Sequence, residues 1–493
     1  MVENVVVVVV DALRADRVGA LDDRSDLTPR IDELAEDGAV FHNAFTTTNV
    51  TDAAVTSLHT GRHPQSNGLI HHAQYVTDEE KRAVGQVTPL PEVLQRSGMR
   101  TIKTGRAMGR WHTRGFDEVP TVAEDANSSG SVLSTNKRLK SAVKSAAYGA
   151  SDRLGYTVSA IHRRLTDNST STAIDSMLGK LDGSSPFYGF VHLMDTHIPY
   201  EPREELIRRY EPRYERGETL RSLAERYPTG SVSRKEIEIK IREHGGLMGQ
   251  GAVDTAHIAA RYDGTVREAD EKVGRLVDGL ESKGLRDETA LVVLSDHGES
   301  LTEHDIPYDH HGLYEPTVRI PLVVSVPDAP RREVDEFVQL TDVAPTVLDL
   351  CGVSGDVDLD LDLDGRSLLP LIEGGGEWES RDVVVAEEAH TQRKRMVRSR
   401  DHKCIWAVDE ENTCRYCEFE HAAPEAMFDL RTDPGETENV VDDEPAEFRR
   451  LRERSREIRR GFEAKRPDGR YGEEPTFEDE ESVLDRLEQL GYR

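Results

Sequence analysis

Cysteine is nearly absent from this chain, with 4 in 493 residues, and that excludes a disulfide scaffold as the source of its stability. Long apolar runs are missing as well. The run Val5–Val10 follows Glu3 and is too short for a secretion-signal core, and no stretch reaches the length of a membrane span. The expected compartment is therefore the cytoplasm. Positive charge is in deficit: 63 Lys and Arg stand against 93 Asp and Glu, a formal net charge of −30. A field of that sign repels nucleic acid and anionic membrane surfaces. It repels anionic ligands too, so any anion-binding site here must be made locally positive by a metal, Arg or His. Lysine is the scarcer cation, and acidic runs such as Asp356–Asp364 and Glu478–Glu481 read as solvated faces or loops. This balance looks like that of a salt-adapted cytosolic protein, with an ordinary acidic mesophilic protein as the alternative reading.

What is present is an alternation of strands and helices. The hydrophobic fraction is 36%, enough for a core, and the length suits one large α/β domain with an appendage. Val5–Val10 is a continuous β-branched run ending at Asp11, the pattern of a buried parallel strand. Ala290–Ser295 ends at Asp296 and His297, and Phe187–Leu193 ends near Asp195 and His197. Three buried strands thus deliver polar residues at their C-terminal ends, the edge where open α/β sheets bind ligands. Between them, Thr28–Gly38 predicts a helix with Thr28 as N-cap and Pro29 at its first position. Leu90–Gly98 repeats that grammar, and Ala259–Gly284 predicts a long amphipathic helix. The alternation implies a parallel sheet covered on both faces. Two stretches interrupt it: Ser-rich residues near 123–170, and a charged segment, 201–250, expected to be helical and to project from the core. A boundary is expected near Gly374–Gly376, giving a catalytic domain over 1–375 and a smaller subdomain over 376–493 with a charged helix at Glu447–Arg460.

Two constellations carry chemistry on residue type alone. Asp11, at a strand end, is a hard oxygen ligand for a divalent cation, or equally a helix N-cap. Ser295-Asp-His-Gly-Glu299 sets a carboxylate and an imidazole side by side after another buried strand, a pairing that suits Mn, Zn, Mg or Ca. Cys404, Cys414 and Cys417 with His402 include a Cys-x-x-Cys, but a strand–turn–strand carrying free thiols is the simpler expectation. Cys351 is expected in the core, and His59 and His63 are expected to be structural.

A third constellation, Asn49-Val-Thr-Asp-Ala-Ala-Val-Thr-Ser-Leu-His-Thr-Gly-Arg-His-Pro64, resembles the sulfatase signature, whose Thr-Gly-Arg-x-Pro end is matched at 60–64. Similar matches run in family order along the chain: Leu27–Phe41, Gly98–Arg106 (or Gly109–His112 as an alternative), Leu193–Tyr200, Asp309–Glu315 with Val318–Leu322, and Met427–Pro434 with Glu438–Asn439. The resemblance implies an alkaline-phosphatase-like α/β/α sandwich with a mostly parallel sheet and a smaller C-terminal α+β subdomain. It places Thr51 at the nucleophile position and Arg106 at a family lysine. Three departures stand out. Thr51 cannot become formylglycine, a second metal carboxylate is replaced by Ala12, and an arginine is replaced by Val55.

The implied chemistry is hydrolysis of a sulfate or phosphate ester, with Thr51 attacking in line. One divalent metal (Ca, Mg, Mn or Zn) would be held by Asp11, Asp296, His297 and Thr51. His197 and His311 would bind ester oxygens or protonate the leaving group, with Arg106 or His310 adding positive charge. A second metal at Asp195, His197 and His311 is the less favoured arrangement. The substrate class is a small-molecule, glycan or lipid-headgroup ester. Two other readings stay open: a transferase or mutase on the same fold, and an inactive binding protein. No motif specifies an oligomeric state.

Overall fold

The computed structural model describes residues 2–22, 25–106, 108–119, 169–215, 217–230, 254–353, 361–389, 392–408 and 423–467, with 234, 237, 413, 414 and 420. Seven strands form the main sheet: β1 (Asn4–Val10), β2 (Ala39–Phe45), β3 (Arg100–Gly105), β4 (Phe187–Leu193), β5 (Thr289–Leu294), β6 (Leu322–Ser325) and β7 (Arg332–Gln339). Their order is β3-β4-β1-β5-β6-β2-β7. All neighbours are parallel except β6, which runs antiparallel to both β5 and β2.

The valine run explains the centre. Val6, Val8 and Val10 face one apolar layer with Ile174, Met177, Val273 and Leu276. Val5, Val7 and Val9 face the other, with Ala54, Val55, Leu58 and Leu94. A strand apolar on both sides fits only a sheet covered on both sides, and burying six valines contributes on the order of 10 kcal/mol before chain entropy is counted.

The long helix spans Thr255–Ser282, is capped where the Asp254 side chain accepts from Ala256 N, and leads into β5. It also corrects one expectation. Thr28 makes no cap bond to α1 (Pro29–Glu36). Its hydroxyl donates instead to Asp32 Oδ1 at 3.1 Å. The open N–H groups of Arg30 and Ile31 are met by Asp270 of the long helix, at 3.0 and 2.9 Å. A carboxyl group from a packed neighbour, one oxygen of which reaches both N–H groups, stands where the local hydroxyl was expected.

The segment expected to project from the core also needs correction. Its described helices, Glu204–Tyr210 and Leu220–Glu225, bury Leu206, Ile207, Tyr210, Leu220 and Leu223 in the same layer as the long helix. The charge lies on their outer faces, and an apolar stripe that was hidden by that charge fixes them to the core. Residues 123–168 lie outside the described set, as do 235–236 and 238–253.

A second, antiparallel sheet follows: β8 (Val384–Glu388), β9 (Lys394–Arg398), β10 (His402–Ala407) and β11 (Glu425–Asp429), in the order β11-β10-β9-β8. The helix Pro445–Lys465 covers it with Phe448 and Leu451. Cys404 and Cys414 are buried in different apolar clusters, and Cys417 lies outside the described residues. Cys351 is partly buried against the sheet's second layer. No helix among the described residues is long and apolar enough to cross a membrane.

Candidate active site

Strand register assembles the centre of the site. Val9 of β1 is level with His192 of β4 and with Leu294 of β5. Asp11 and Asp296 therefore sit two residues beyond aligned positions on adjacent parallel strands, with His192 beside them. All three are buried, and their ligand atoms lie within 4.8 Å of one another. His192 Nε2 is 3.2 Å from Asp11 Oδ2. Ala12 N and His297 N both donate to Asp296 Oδ1, at 3.2 and 3.0 Å.

The electrostatics call for a cation. Neither Asp11 oxygen receives a hydrogen bond that satisfies it, and Asp296 Oδ2 has none. Burial would raise the Asp11 carboxyl, but the contact with His192 and the nearby His197 and His297 outweigh it and hold it well below the usual range. Burial and the Asp11 charge push the Asp296 carboxyl up. Two buried carboxylates with orphaned oxygens are costly unless paired or bound to a metal. Two carboxylates and an imidazole fit a divalent cation, but of the four expected ligands only Asp11 and Asp296 fall in this group; His297 and Thr51 lie outside it and His192 takes the third place.

Thr51 opens α2 (Thr51–Thr60) directly beside this group. Its Oγ1 lies 3.2 Å from His297 Nε2. His297 Nδ1 lies 2.8 Å from the Gly298 carbonyl, an acceptor only, so in the neutral ring Nδ1 carries the proton and Nε2 is left to accept from the threonine hydroxyl. Burial opposes charging this ring, yet Asp296 and Asp11 outweigh it and raise its pKa. His297 is thus placed as a base for Thr51.

The remaining expected residues line the same edge. The His310 ring is 4.5 Å from that of His297, and His311 Nδ1 is 3.1 Å from Asp309 Oδ1. Burial and the His297 charge push His310 well below its ordinary pKa. His197 is held by its Nδ1 against the Ile198 carbonyl at 2.6 Å, and burial, partly offset by Asp11, brings it down to about 4. Arg106 follows β3 and its guanidinium donates to Met194 Sδ at 3.4 Å. Asp195 is taken by an ion pair with Lys272. Asp195, His197 and His311 do not form a ligand group among the described residues. His59 packs its ring 4.5 Å from Phe190, and His63 N donates to Asp364, so both are structural.

Sequence reasoning passed over four residues. His192 was a lone polar residue in an apolar strand, and only the register with Val9 gives it meaning. Asp52, next to Thr51, lies 2.8 Å from His72 Nδ1 and accepts from His112 Nε2 at 3.0 Å and Ala73 N at 2.7 Å. His112 belongs to the Gly109–His112 stretch that competed for the second signature. The site is therefore ringed by imidazoles. Val55, where the family carries an arginine, points into the core layer beneath β1.

The sulfatase family model matches residues 3–353, and the model for the C-terminal region of N-sulphoglucosamine sulphohydrolase matches 302–460. A multifunctional alkaline phosphatase superfamily protein of Trinickia caryophylli is 27% identical, over 90% of this chain and 91% of its own. An N-acetylglucosamine-6-O-sulfatase of Bacteroides thetaiotaomicron is 24% identical, over 84% of this chain and 78% of its own. Among solved structures, the phosphonate monoester hydrolase of Agrobacterium radiobacter superposes with a TM-score of 0.66 at 19% identity, covering 93% of this chain and 96% of its own.

Proposed function

The chain belongs to the sulfatase family of the alkaline phosphatase-like superfamily and is an ester hydrolase, and we propose that it cleaves sulfate or phosphate-type esters with Thr51 as nucleophile. The observation that carries this is the contact of the Thr51 hydroxyl with the His297 Nε2 lone pair, beside the Asp11–His192–Asp296 group. A divalent cation held by those three residues would supply positive charge to the ester oxygens and acidify the attacking hydroxyl.

The protein's own part follows from the hydrogen bonds. Thr51 Oγ1 attacks sulfur or phosphorus as its proton passes to His297 Nε2. The ester bond to the leaving alcohol breaks, and that oxygen takes a proton from His311, while His310, which burial keeps neutral, donates an N–H hydrogen bond to the ester oxygens. Arg106 adds fixed positive charge at the β3 end. Water then cleaves the Thr51 ester, and the group leaves as the free anion. The Nδ1–Gly298 contact keeps His297 in the tautomer this needs.

The family relatives include enzymes named for glucosamine sulfates and for phosphonate monoesters. The proposed substrate is accordingly a small-molecule, glycan or lipid-headgroup ester. The acidic, cysteine-poor composition supports the cytoplasm as the proposed compartment, which cell fractionation would test.

The decisive assay offers metal-loaded protein an aryl sulfate, an aryl phosphate monoester and an aryl phosphodiester at high salt. Wild type should hydrolyse at least one of them, and Thr51→Ala should lose about three orders of magnitude or more. Retained turnover in Thr51→Ala would remove Thr51 from the role of nucleophile.

A further inference from the structure

The C-terminal sheet reaches the active site through its edge strand. Glu387 N of β8 donates to Thr47 O at 3.2 Å, so β8 is hydrogen-bonded to the segment that leads into Thr51. The next residue, Glu388, is fully buried, and its Oε2 accepts from Gly312 N at 3.0 Å. Gly312 closes the turn that carries His310 and His311, and its φ of +75° suits only glycine without strain.

That turn is pinned from two other sides. Asn49 Nδ2 donates to His310 O at 2.7 Å and Gly312 O at 3.2 Å. Thr317 Oγ1 donates to Gly312 O at 3.0 Å. These two hold carbonyls, whereas Glu388 holds the only N–H of the turn that a C-terminal residue meets among the described residues. Lys394 faces Glu388 directly across the β8–β9 pair. Burial drives the carboxyl up and the ammonium down, each to about 8, so the pair is held in a dry setting. Side chains in such settings are retained at a cost in stability, and one use that justifies the cost is fixing a geometry.

We propose that Glu388 is a positioning residue for the His310–His311 turn, so that docking of the C-terminal sheet sets the placement of the group that protonates the leaving alcohol. This rests on the role given to that turn above. The carboxyl touches no reacting atom. It acts by stopping the Gly312 peptide from rotating, and a shift of about 1 Å at an acid is enough to cost a large factor in rate.

A general acid matters most when the leaving group is poor, and a scaffold does not distinguish leaving groups. The test compares para-nitrophenyl with phenyl esters of sulfate and of phenylphosphonate, in wild type, Glu388→Ala, Glu388→Gln, His310→Ala and His311→Ala, with thermal midpoints recorded for each. Glu388→Ala should lower kcat on the phenyl ester by about tenfold to a hundredfold, and on the para-nitrophenyl ester by no more than a few-fold. Glu388→Gln keeps an acceptor for Gly312 N and should recover most of the phenyl-ester rate. Equal losses on both leaving groups in Glu388→Ala, or no loss on either, would overturn the proposal. A different failure, in which His311→Ala and His310→Ala both treat the two leaving groups alike, would remove the turn from proton transfer and the proposal with it. If wild type cleaves neither ester series, the hydrolase reading of the site falls first.

Discussion

Replacing Tyr262 by phenylalanine deletes one oxygen from under the active site and changes little else. The ring is fully buried and packs edge-on against Tyr200 with centroids 5.2 Å apart, a contact phenylalanine keeps. The hydroxyl donates to Ala12 O at 2.7 Å and accepts from Arg14 N at 3.0 Å. Ala12 is the residue after Asp11, and its φ of +57° is left-handed, a conformation costing a non-glycine residue about 1–2 kcal/mol. One hydroxyl therefore ties both ends of a strained turn to the long helix. Its loss leaves a buried N–H and a buried carbonyl open, at about 1 kcal/mol for the lost bond and about 1–3 kcal/mol for the orphaned groups. The expected destabilisation is about 2–4 kcal/mol, read as a lower urea midpoint at unchanged slope. Tyr188→Phe is the matching control. That hydroxyl is buried with no partner, so its removal should be neutral or slightly stabilising. Ester turnover should fall in Tyr262→Phe, because Asp11 is carried by the same turn. Equal midpoints in the two variants would refute the claim that the Tyr262 hydroxyl sustains the site.

Glu80 gives a pH-dependent prediction. Its carboxylate accepts from Ile70 N, His71 N and Thr77 N at 2.8–2.9 Å. Burial opposes ionisation, but the bond with His71 and those backbone donors bring the pKa from 4.5 to about 2. A depressed carboxyl contributes stability above its unfolded pKa and loses it as pH falls through the folded value. Glu80→Gln should therefore cost about 1–3 kcal/mol at pH 7, discounted for partial exposure, with the gap to wild type closing between pH 4.5 and 2 in thermal scans. Chelation should lower the thermal midpoint if Asp11, His192 and Asp296 hold a cation; at a thousandfold saturation the ligand adds about 4 kcal/mol. His192→Ala should weaken metal retention by at least tenfold in dialysis, and full retention would remove His192 from the ligand set. Val55→Arg, which restores the family residue type, should unfold the protein instead of improving turnover, since the position faces the core beneath β1.

The parts legible in the sequence share one property, which is that a single strand or turn carried them. Val5–Val10 announces a strand buried on both faces because nothing else tolerates six consecutive valines beside Asp11. Asp296 and His297 stand at the end of such a strand and were legible for the same reason, whereas Thr51 was placed by the resemblance of residues 49–64 to the sulfatase signature. What stayed hidden needed the register between elements. His192 acquires its place only when β4 is laid level with β1. Asp270 caps α1 across 240 residues, and a search for local caps selects Thr28 instead. The charged helices at 204–225 were expected to project because charge dominates their composition, although the few apolar residues decide where they lie.

The same distinction bears on how the site works. The departures at positions 12, 51 and 55 remove a carboxylate, an oxidisable nucleophile and a guanidinium that the family pattern would carry. Imidazoles contact the carboxylates and the hydroxyl at this sheet edge: His72 and His112 on Asp52, His192 on Asp11, and His297 on Thr51. An imidazole donates and accepts at once and is held in one tautomer by the carbonyl or carboxylate behind it. Such a setting suits the proposed threonine nucleophile, which needs a base before it can attack, and the Thr51–His297 contact is where that proposal is tested.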